Sequence, residues 1–236
     1  MEDSPTRFSY HLIRLNYWDS IRFMLFPIHS KNVNGLIHAD VMSAMKLGSS
    51  VFHVNRLMNR EIAVFAQWEN QQALEDFLKH HSFGKKLKKS WYLILQFTRQ
   101  WGSISDYQIP KATDIKTEDE QLVVAVTLAK MRYSQIPRFL RWGRPVEKQV
   151  RDNTASRLSL ASIRYPNLIS TFSIWNTQLD MTNMVHGHSK MEDPTRHRDA
   201  MRERNRKDFH FEFTTLRFLP LEEHGVWKGK SNYTKH

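Results

Sequence analysis

The fold is decided by two matching stretches, Glu61–Trp68 (EIAVFAQW) and Leu168–Trp175 (LISTFSIW). The fifth residue of each is phenylalanine and the eighth is tryptophan, and both identities occur at an offset of 107 residues. Side chains alternate along both stretches with the period of two that is typical of a β-strand. Two similar strands in one chain indicate an internal repeat.

A second match lies nearer the start of each copy. Arg22-Phe23-Met24 corresponds to Arg138-Phe139-Leu140, and Tyr17 corresponds to Tyr133, at an offset of 116 residues. Because matches at two separate places keep the same order, we interpret the chain as a duplicated unit of roughly a hundred residues. The unequal offsets predict a longer first helical region in the first copy.

Hydrophobic periodicity predicts the same six elements in each copy. The first copy reads as strand 9–15, helix 19–40, strand 44–54, strand 61–68, helix 70–88 and strand 91–99. The second reads as strand 123–132, helix 136–151, strand 156–164, strand 168–175, helix 177–204 with an irregular middle, and strand 208–219. Asn70 is predicted to cap the second helix of the first copy, and Thr177 with Asp180 to cap its counterpart.

Both copies therefore have the predicted element order β-α-β-β-α-β, which is that of the ferredoxin-like unit. Since a sheet with helices on one face must bury its other face, we predict an α+β fold in which the two sheets form a dimeric α+β barrel within one chain. A homodimer of whole chains is the alternative. The predicted organisation is a first repeat at 1–103, a polar linker at 104–121, a second repeat at 122–219, and a basic, partly disordered tail at 220–236.

Composition excludes several classes of protein. The chain has 236 residues, 40% of them hydrophobic, and no cysteine. Disulfides, thiolate catalysis and thiolate-bound metals are therefore excluded. A polar start and short apolar runs predict a cytoplasmic protein. The net charge of +11 predicts either a solvated basic surface or attraction to an acidic electron-transfer protein or a membrane surface. Nucleic acid is not expected, because no nucleic-acid-binding motif accompanies the basic residues.

Several segments keep one order between about residue 42 and residue 229: Trp68 with the helix after it, Ser90-Trp91, 99–102, 126–130, 138–142, 171–175, 197–202 and 209–218. Together they resemble the spheroidene monooxygenase family. The most specific of them are Thr171–Trp175 and the His-x-x-Ala-Met-Arg stretch that begins at His197. The chain departs from the family at 186–194, which is longer and more polar here, and at Phe209, where the family has tryptophan.

The resemblance implies a duplicated dimeric α+β barrel and a haem-containing monooxygenase. Such an enzyme inserts oxygen into a hydrophobic, carotenoid-like substrate and takes electrons from an acidic donor such as ferredoxin. Relatives with this barrel include haem enzymes such as chlorite dismutases and aldoxime dehydratases, and cofactor-free monooxygenases. Two alternatives therefore stay open: a haem enzyme acting on a nitrogen substrate such as an aldoxime, and a haem-free ligand-binding or cofactor-independent barrel protein.

Without cysteine, a haem iron would need histidine, methionine or tyrosine as its protein ligand. His197 is the choice that the resemblance implies, because it lies in the matched motif. His186 and His188 are competitors. Together with His197 and either Glu192 or Asp193 they could instead form a non-haem metal site, although their spacing is not distinctive.

Five further residues complete the predicted site. Arg99 could pair with a haem propionate, because a guanidinium matches a carboxylate. Trp101 and Phe172 could line a flat pocket, and Arg132 and Arg217 are candidates for catalytic or propionate contacts. The alternative roles are ordinary ones: a strand-end ion pair for Arg99, the protein core for Trp101 and Phe172, and the barrel exterior for the other two.

Overall fold

A computed structural model describes residues 6–48, 60–109, 118–188 and 195–235. The strands are β1 (Arg7–Arg14), β2 (Leu36–Met45), β3 (Glu61–Trp68), β4 (Trp91–Ser103), β5 (Val123–Met131), β6 (Ser156–Arg164), β7 (Leu168–Trp175) and β8 (His210–His224). The helices are α1 (Tyr17–Leu25), α2 (Gln71–His80), α3 (Ser82–Lys88), α4 (Ile136–Asp152), α5 (Gln178–His186) and α6 (Arg196–Arg206). No helix within these ranges is both long and apolar enough to cross a bilayer.

Within the described residues, eight strands close into one antiparallel barrel in the order β1-β3-β2-β6-β7-β5-β8-β4. Each copy contributes four neighbouring strands, in the orders β4-β1-β3-β2 and β8-β5-β7-β6. The copies join where β2 pairs with β6 and where β4 pairs with β8. The predicted α+β fold, a duplicated ferredoxin-like barrel, is confirmed.

Strand register confirms both repeat offsets. Trp68 on β3 lies opposite Arg7 on β1, and Trp175 on β7 lies opposite Val123 on β5. The two tryptophans are 107 residues apart, and their partners are 116 residues apart. Both copies therefore have the same pairing, and every outer-face position in one copy has a definable counterpart in the other.

Side-chain caps begin the matching helices. The Asn70 side chain accepts a hydrogen bond from the Ala73 amide at 2.9 Å, at the start of α2. The Thr177 hydroxyl accepts one from the Asp180 amide at 3.0 Å, at the start of α5. These bonds satisfy amides that have no partner inside the helix. Both predicted caps are confirmed.

Aromatic side chains fill the barrel interior. The Tyr10 ring stacks on the Phe172 ring with centroids 3.9 Å apart, and the Phe8 ring stacks on the Phe65 ring at 5.8 Å. All four side chains are buried. Burying one such side chain contributes about 1.5–3 kcal/mol, so this packing is the main apolar core shared by the two copies.

One predicted helix is wrong over much of its length. The apolar pattern predicts a helix over 19–40, but α1 ends at Leu25 and β2 begins at Leu36. Pro27 explains the early end, because proline disfavours helical conformation at the residue before it and lacks an amide hydrogen. The predicted strand 44–54 accordingly starts too late, and its residues 49–54 lie outside the described residues.

The linker is anchored at its start. Its residues Ile104 and Tyr107 are buried, and the Tyr107 hydroxyl donates a 2.8 Å hydrogen bond to the buried Asp40 of β2. The same carboxylate lies 2.9 Å from the Arg164 guanidinium of β6. This cluster ties the first copy, the linker and the second copy together at one place. Linker residues 110–117 lie outside the described residues.

The C-terminal segment is packed, so the expected disorder is wrong for residues 220–235. Strand β8 continues past residue 219 to His224, and the side chains of Trp227 and Tyr233 are buried against the barrel core. Glu223 accepts hydrogen bonds from the Trp91 indole at 2.8 Å and the Tyr233 amide at 2.9 Å. Burial alone would raise the pKa of Glu223, but these donors lower it overall.

Replacing Trp227 should therefore destabilise the whole barrel. We expect Trp227→Ala to lower the free energy of unfolding by about 3 kcal/mol, because it leaves a cavity beside the core. Urea denaturation followed by circular dichroism measures the change. The neighbouring Val226 is 59% exposed, so Val226→Ala should change stability by less than about 0.5 kcal/mol. Equal effects of the two substitutions would contradict the packed position of Trp227.

Candidate functional site: a cleft on the second copy

The outer face of the first copy's sheet is sealed by its helices. The rings of Phe23 in α1 and Phe83 in α3 stack with centroids 3.7 Å apart, and Phe77 of α2 packs on Trp68 at 5.1 Å. These side chains belong to one continuous apolar cluster that covers the sheet. In the described residues, the helices of the first copy therefore pack on the outer face of its sheet through one buried apolar cluster.

The centre of this sealed face is a row of four large side chains. Register places Val41, Val64, His11 and Tyr92 side by side across β2, β3, β1 and β4, and all four are buried. The His11 ring stacks on the Tyr92 ring with centroids 5.0 Å apart. Burial lowers the pKa of His11 to about 3, so the ring is neutral at physiological pH. His11 thus acts here as a packing residue.

The equivalent row of the second copy is built from small side chains. Register places Ala161, Thr171, Thr127 and Thr215 across β6, β7, β5 and β8. The three threonines are partly exposed although they lie at the centre of the sheet's outer face. The hydroxyls of Thr127 and Thr215 are 3.2 Å apart. Where the first copy has a histidine–tyrosine stack, the second copy therefore has a cleft with a threonine floor.

The neighbouring row continues this floor and ends in a cation. Ser159, Ser173, Ala125 and Arg217 lie side by side on β6, β7, β5 and β8. Arg217 stands at the position that Ile94 occupies in the first copy. A charged residue has therefore replaced an apolar one at the edge of the cleft.

The rim beside Arg217 has two guanidinium groups and one indole. The central guanidinium carbons of Arg217 and Arg99 lie 4.2 Å and 4.6 Å from the centre of the Trp101 ring, a cation–π arrangement. Burial and the nearby charge of Arg99 lower the pKa of Arg217 to about 10. Its Nε is buried without a hydrogen-bond partner, and no described carboxylate pairs with either arginine. The rim is suited to an anionic group.

His197 has a defined tautomer. Its Nδ1 lies 3.0 Å from the carbonyl oxygen of Val185 on α5. A carbonyl only accepts, so Nδ1 carries the proton and Nε2 has its lone pair free for a ligand. Burial lowers the pKa of His197, the bond to Val185 opposes this, and His186 lowers it further. The ring is therefore neutral, the form that binds a metal ion.

Contacts along α6 place the His197 side of this helix over the sheet. The Arg204 guanidinium lies 4.0 Å from the centre of the Phe213 ring on β8. Glu203 pairs with Arg138 of α4 at 2.8 Å, which fixes α6 against its neighbouring helix. His197 precedes Arg204 by two helical turns, about 10 Å, so both lie on the same side of α6. Since only residues 207–209 join α6 to β8, the helix and the strand run in opposite directions.

The structure brings together three of the predicted site residues, Arg217, Arg99 and Trp101, at the rim of the second-copy cleft. His197 lies on α6 of the same copy, where its Nδ1 contacts the Val185 carbonyl of α5. Phe172 is a core residue instead, because its ring stacks on Tyr10 inside the barrel, on the opposite face of the sheet.

Arg132 lies at the far end of the second copy. Its guanidinium donates to the carbonyl of His210 at 2.9 Å and is exposed. Register puts Met131 opposite His210 and Ala125 opposite Arg217. Those strand positions are six residues, or about 20 Å, apart, so Arg132 and Arg217 do not share one site.

The competing histidines lie at the surface. His186 and His188 are exposed, with ring centroids 6.2 Å apart. Among the described residues, no group of three histidine, aspartate or glutamate side chains could hold a metal ion. Glu192 and Asp193, the proposed carboxylate ligands of a non-haem site, lie outside the described residues.

The threonine floor and the bond between His197 and Val185 are not among the features predicted from the sequence. A residue-by-residue comparison of the two copies contains the signal for the floor, because His11 corresponds to Thr127 and Val64 to Thr171 at the two repeat offsets. The Val185 carbonyl has no sequence signal, since any residue has one.

No family model and no curated protein matches this chain. Among solved structures, an aldoxime dehydratase in complex with butyraldoxime is 7% identical, with 97% of this chain and 84% of that chain covered and a TM-score of 0.55. A second aldoxime dehydratase structure is also 7% identical, with 97% and 86% covered and a TM-score of 0.51. A putative monooxygenase from Fusobacterium nucleatum is 9% identical, with 95% and 96% covered and a TM-score of 0.40. At these identities the likeness to the aldoxime dehydratases shows the fold alone.

The tautomer and burial of His197 give a test. In histidine side-chain NMR spectra, we expect His197 to be protonated on Nδ1 and to titrate below 6.5, its ordinary value, which the urea-unfolded chain should recover. Because the folded-state pKa is lowered, the stabilisation is present above about pH 6.5 and is lost as the pH falls. The His197→Gln variant should lack that part of the pH dependence. A titration at or above 6.5 in the folded chain would contradict the geometry.

Proposed function

We propose that the second-copy cleft holds haem, and that the chain is a haem-dependent monooxygenase acting on a hydrophobic substrate. The observation that carries this proposal is the replacement of a sealed row by an open one at matched positions of the two copies. Val64 and His11 correspond to Thr171 and Thr127, and His197 lies on a helix of the copy that has the open row.

The donor set of the cleft fits haem. His197 would bind the haem iron through Nε2, and the carbonyl of Val185 would make that nitrogen more basic and fix the ring. Arg217 and Arg99 would pair with the propionates, since a guanidinium matches a carboxylate and neither has a described acidic partner. Trp101 would form one wall, and the small threonine side chains would leave room for a flat ring.

Haem would supply the oxidation chemistry in such a site. The chain's own residues would orient the group, keep the ligand histidine neutral and exclude water from the reacting centre. We propose a carotenoid-like substrate because of the resemblance to spheroidene monooxygenases. An acidic electron donor such as ferredoxin would complement the net charge of +11.

A second candidate is the dehydration of an aldoxime, which needs no external reductant. The fold similarity to an aldoxime dehydratase crystallised with butyraldoxime, at a TM-score of 0.55, favours it over other reactions of this fold. Consumption of oxygen and reductant by the haem-loaded protein distinguishes the monooxygenase from the dehydratase. A haem-free barrel protein is the remaining alternative, and it would stay colourless after incubation with haem.

Filling the cleft tests whether haem binds there. We expect the Thr127→Phe/Thr215→Phe variant to lose haem binding, because the rings occupy the place that His11 and Tyr92 fill in the first copy. Titration with haem, followed by the Soret band, measures binding. The Thr127→Ser/Thr215→Ser variant keeps the side chains small and should bind as the unmodified chain does. Circular dichroism and thermal melting establish that both variants are folded.

Replacing His197 distinguishes its proposed role as the iron ligand from the contribution of the cleft to haem binding. We expect His197→Ala to shift the Soret band and to weaken haem binding by at least about tenfold. Removing only a hydrogen-bond partner of a metal ligand already weakens metal binding by that factor. His188→Ala, at an exposed neighbouring histidine, should leave both unchanged. An unchanged spectrum in His197→Ala would reject the ligand assignment, and no haem binding by the unmodified chain would reject the proposed function.

A further inference from the structure

Helix α1 has an apolar stripe on its solvent side. Trp18, Arg22 and Leu25 recur at the spacing of one helix face, and Phe26 follows directly. Trp18 is 80% exposed, Leu25 68% and Phe26 74%. A surface helix normally presents polar residues on this side. Three large apolar side chains so close together are therefore unusual on a protein surface.

This stripe is not needed to hold α1 on the barrel. The opposite side of the helix packs through Phe23, whose ring stacks on Phe83 of α3 at 3.7 Å. Asn16 caps the helix by accepting a 2.7 Å hydrogen bond from the Asp19 amide. Folding is thus accounted for without Trp18 or Leu25, and their exposure calls for another explanation.

A lysine cluster adjoins the stripe. Lys85, Lys86, Lys88 and Lys89 are exposed on and just after α3. Lys86 lies 2.8 Å from the Asp19 carboxylate of α1, which shows that the two helices are direct neighbours. The other three lysines form no ion pair with the described residues. Exposed aromatic and aliphatic side chains therefore lie beside uncompensated positive charge.

We propose that this face, formed by α1 and α3, docks on an anionic lipid bilayer. Tryptophan favours the boundary between head groups and acyl chains, and Leu25 with Phe26 could enter the apolar layer beneath it. The α3 lysines would meet the phosphates of anionic lipids. An acidic protein would also attract the lysines, but charge alone would not need an exposed apolar stripe.

The docking face belongs to the first copy, whereas the cleft belongs to the second. The proposal does not depend on haem binding or on the reaction, and neither His197 nor Arg217 takes part in it. Failure of the proposed function would leave it intact, and the reverse also holds.

Vesicle sedimentation tests the docking face with the full chain. We expect it to sediment with vesicles of mixed phosphatidylcholine and phosphatidylglycerol and to remain in solution with phosphatidylcholine alone. Added salt should weaken binding, because the attraction is partly electrostatic. A chain that stays in solution with the mixed vesicles at low salt would overturn the proposal.

Two variants divide the face into its parts. Trp18→Ser/Leu25→Ser/Phe26→Ser removes the apolar stripe, and Lys85→Gln/Lys88→Gln/Lys89→Gln removes charge without touching the Asp19 pair. Each should weaken binding by at least about tenfold. The control is Tyr133→Ser/Phe211→Ser, which removes similarly exposed rings, 58% and 60%, from the second copy.

The folding and the oligomeric state of each variant must be measured alongside its vesicle binding. Circular dichroism should show that all variants are folded, since the changed residues are exposed. Equal loss in the control, or none in the stripe variant, would overturn the proposal. So would a dimer in size-exclusion chromatography that dissociates in the stripe variant, since the face would then bind a second copy of this chain.

Discussion

Closure of the antiparallel barrel is the constraint on which the rest of the structure depends. A closed sheet has no free edges, and its interior must be filled by side chains, here by aromatic rings such as Tyr10 and Phe172. The helices can then lie only outside, one set on each copy's outer face. A ligand site must accordingly form between helices and strands, wherever the helices do not seal the sheet.

Duplication explains how the chain keeps stability beside an open cleft. In the first copy His11 and Tyr92 fill the centre of the outer face, and the helices bury it completely. In the second copy the smaller side chains of Thr127 and Thr215 occupy the same positions and do not fill the space. Each copy has a neutral histidine, but the two differ in role. His11 is buried and fills space, whereas His197 is partly buried and donates its Nδ1 proton to the Val185 carbonyl, which leaves Nε2 available for a ligand.

The fold was largely predictable from the sequence because repeats leave matched residues such as Trp68 and Trp175 at fixed offsets. The prediction of a helix over 19–40 was wrong because apolar residues recur on both sides of Pro27 and into β2. Short apolar runs of this kind do not distinguish a helix from a strand. The choice of His197 as the candidate iron ligand depended on a family resemblance, and only the structure shows its tautomer. Phe172 was misassigned because the alternation of side chains along β7 does not say which face of the strand points into the barrel. The threonine floor was missed because threonine is an ordinary strand residue.

The position of β8 has a consequence for how the chain is made. This last strand pairs with β4 of the first copy on one side and with β5 of its own copy on the other, so it closes the sheet. Synthesis proceeds from the N-terminus. The edges of β4 and β5 that pair with β8 therefore have no partner until residues 210–224 have left the ribosome. The nascent chain therefore cannot close the barrel until β8 has been synthesised. Before that point its sheet has unpaired edges, to which strands of other chains could pair.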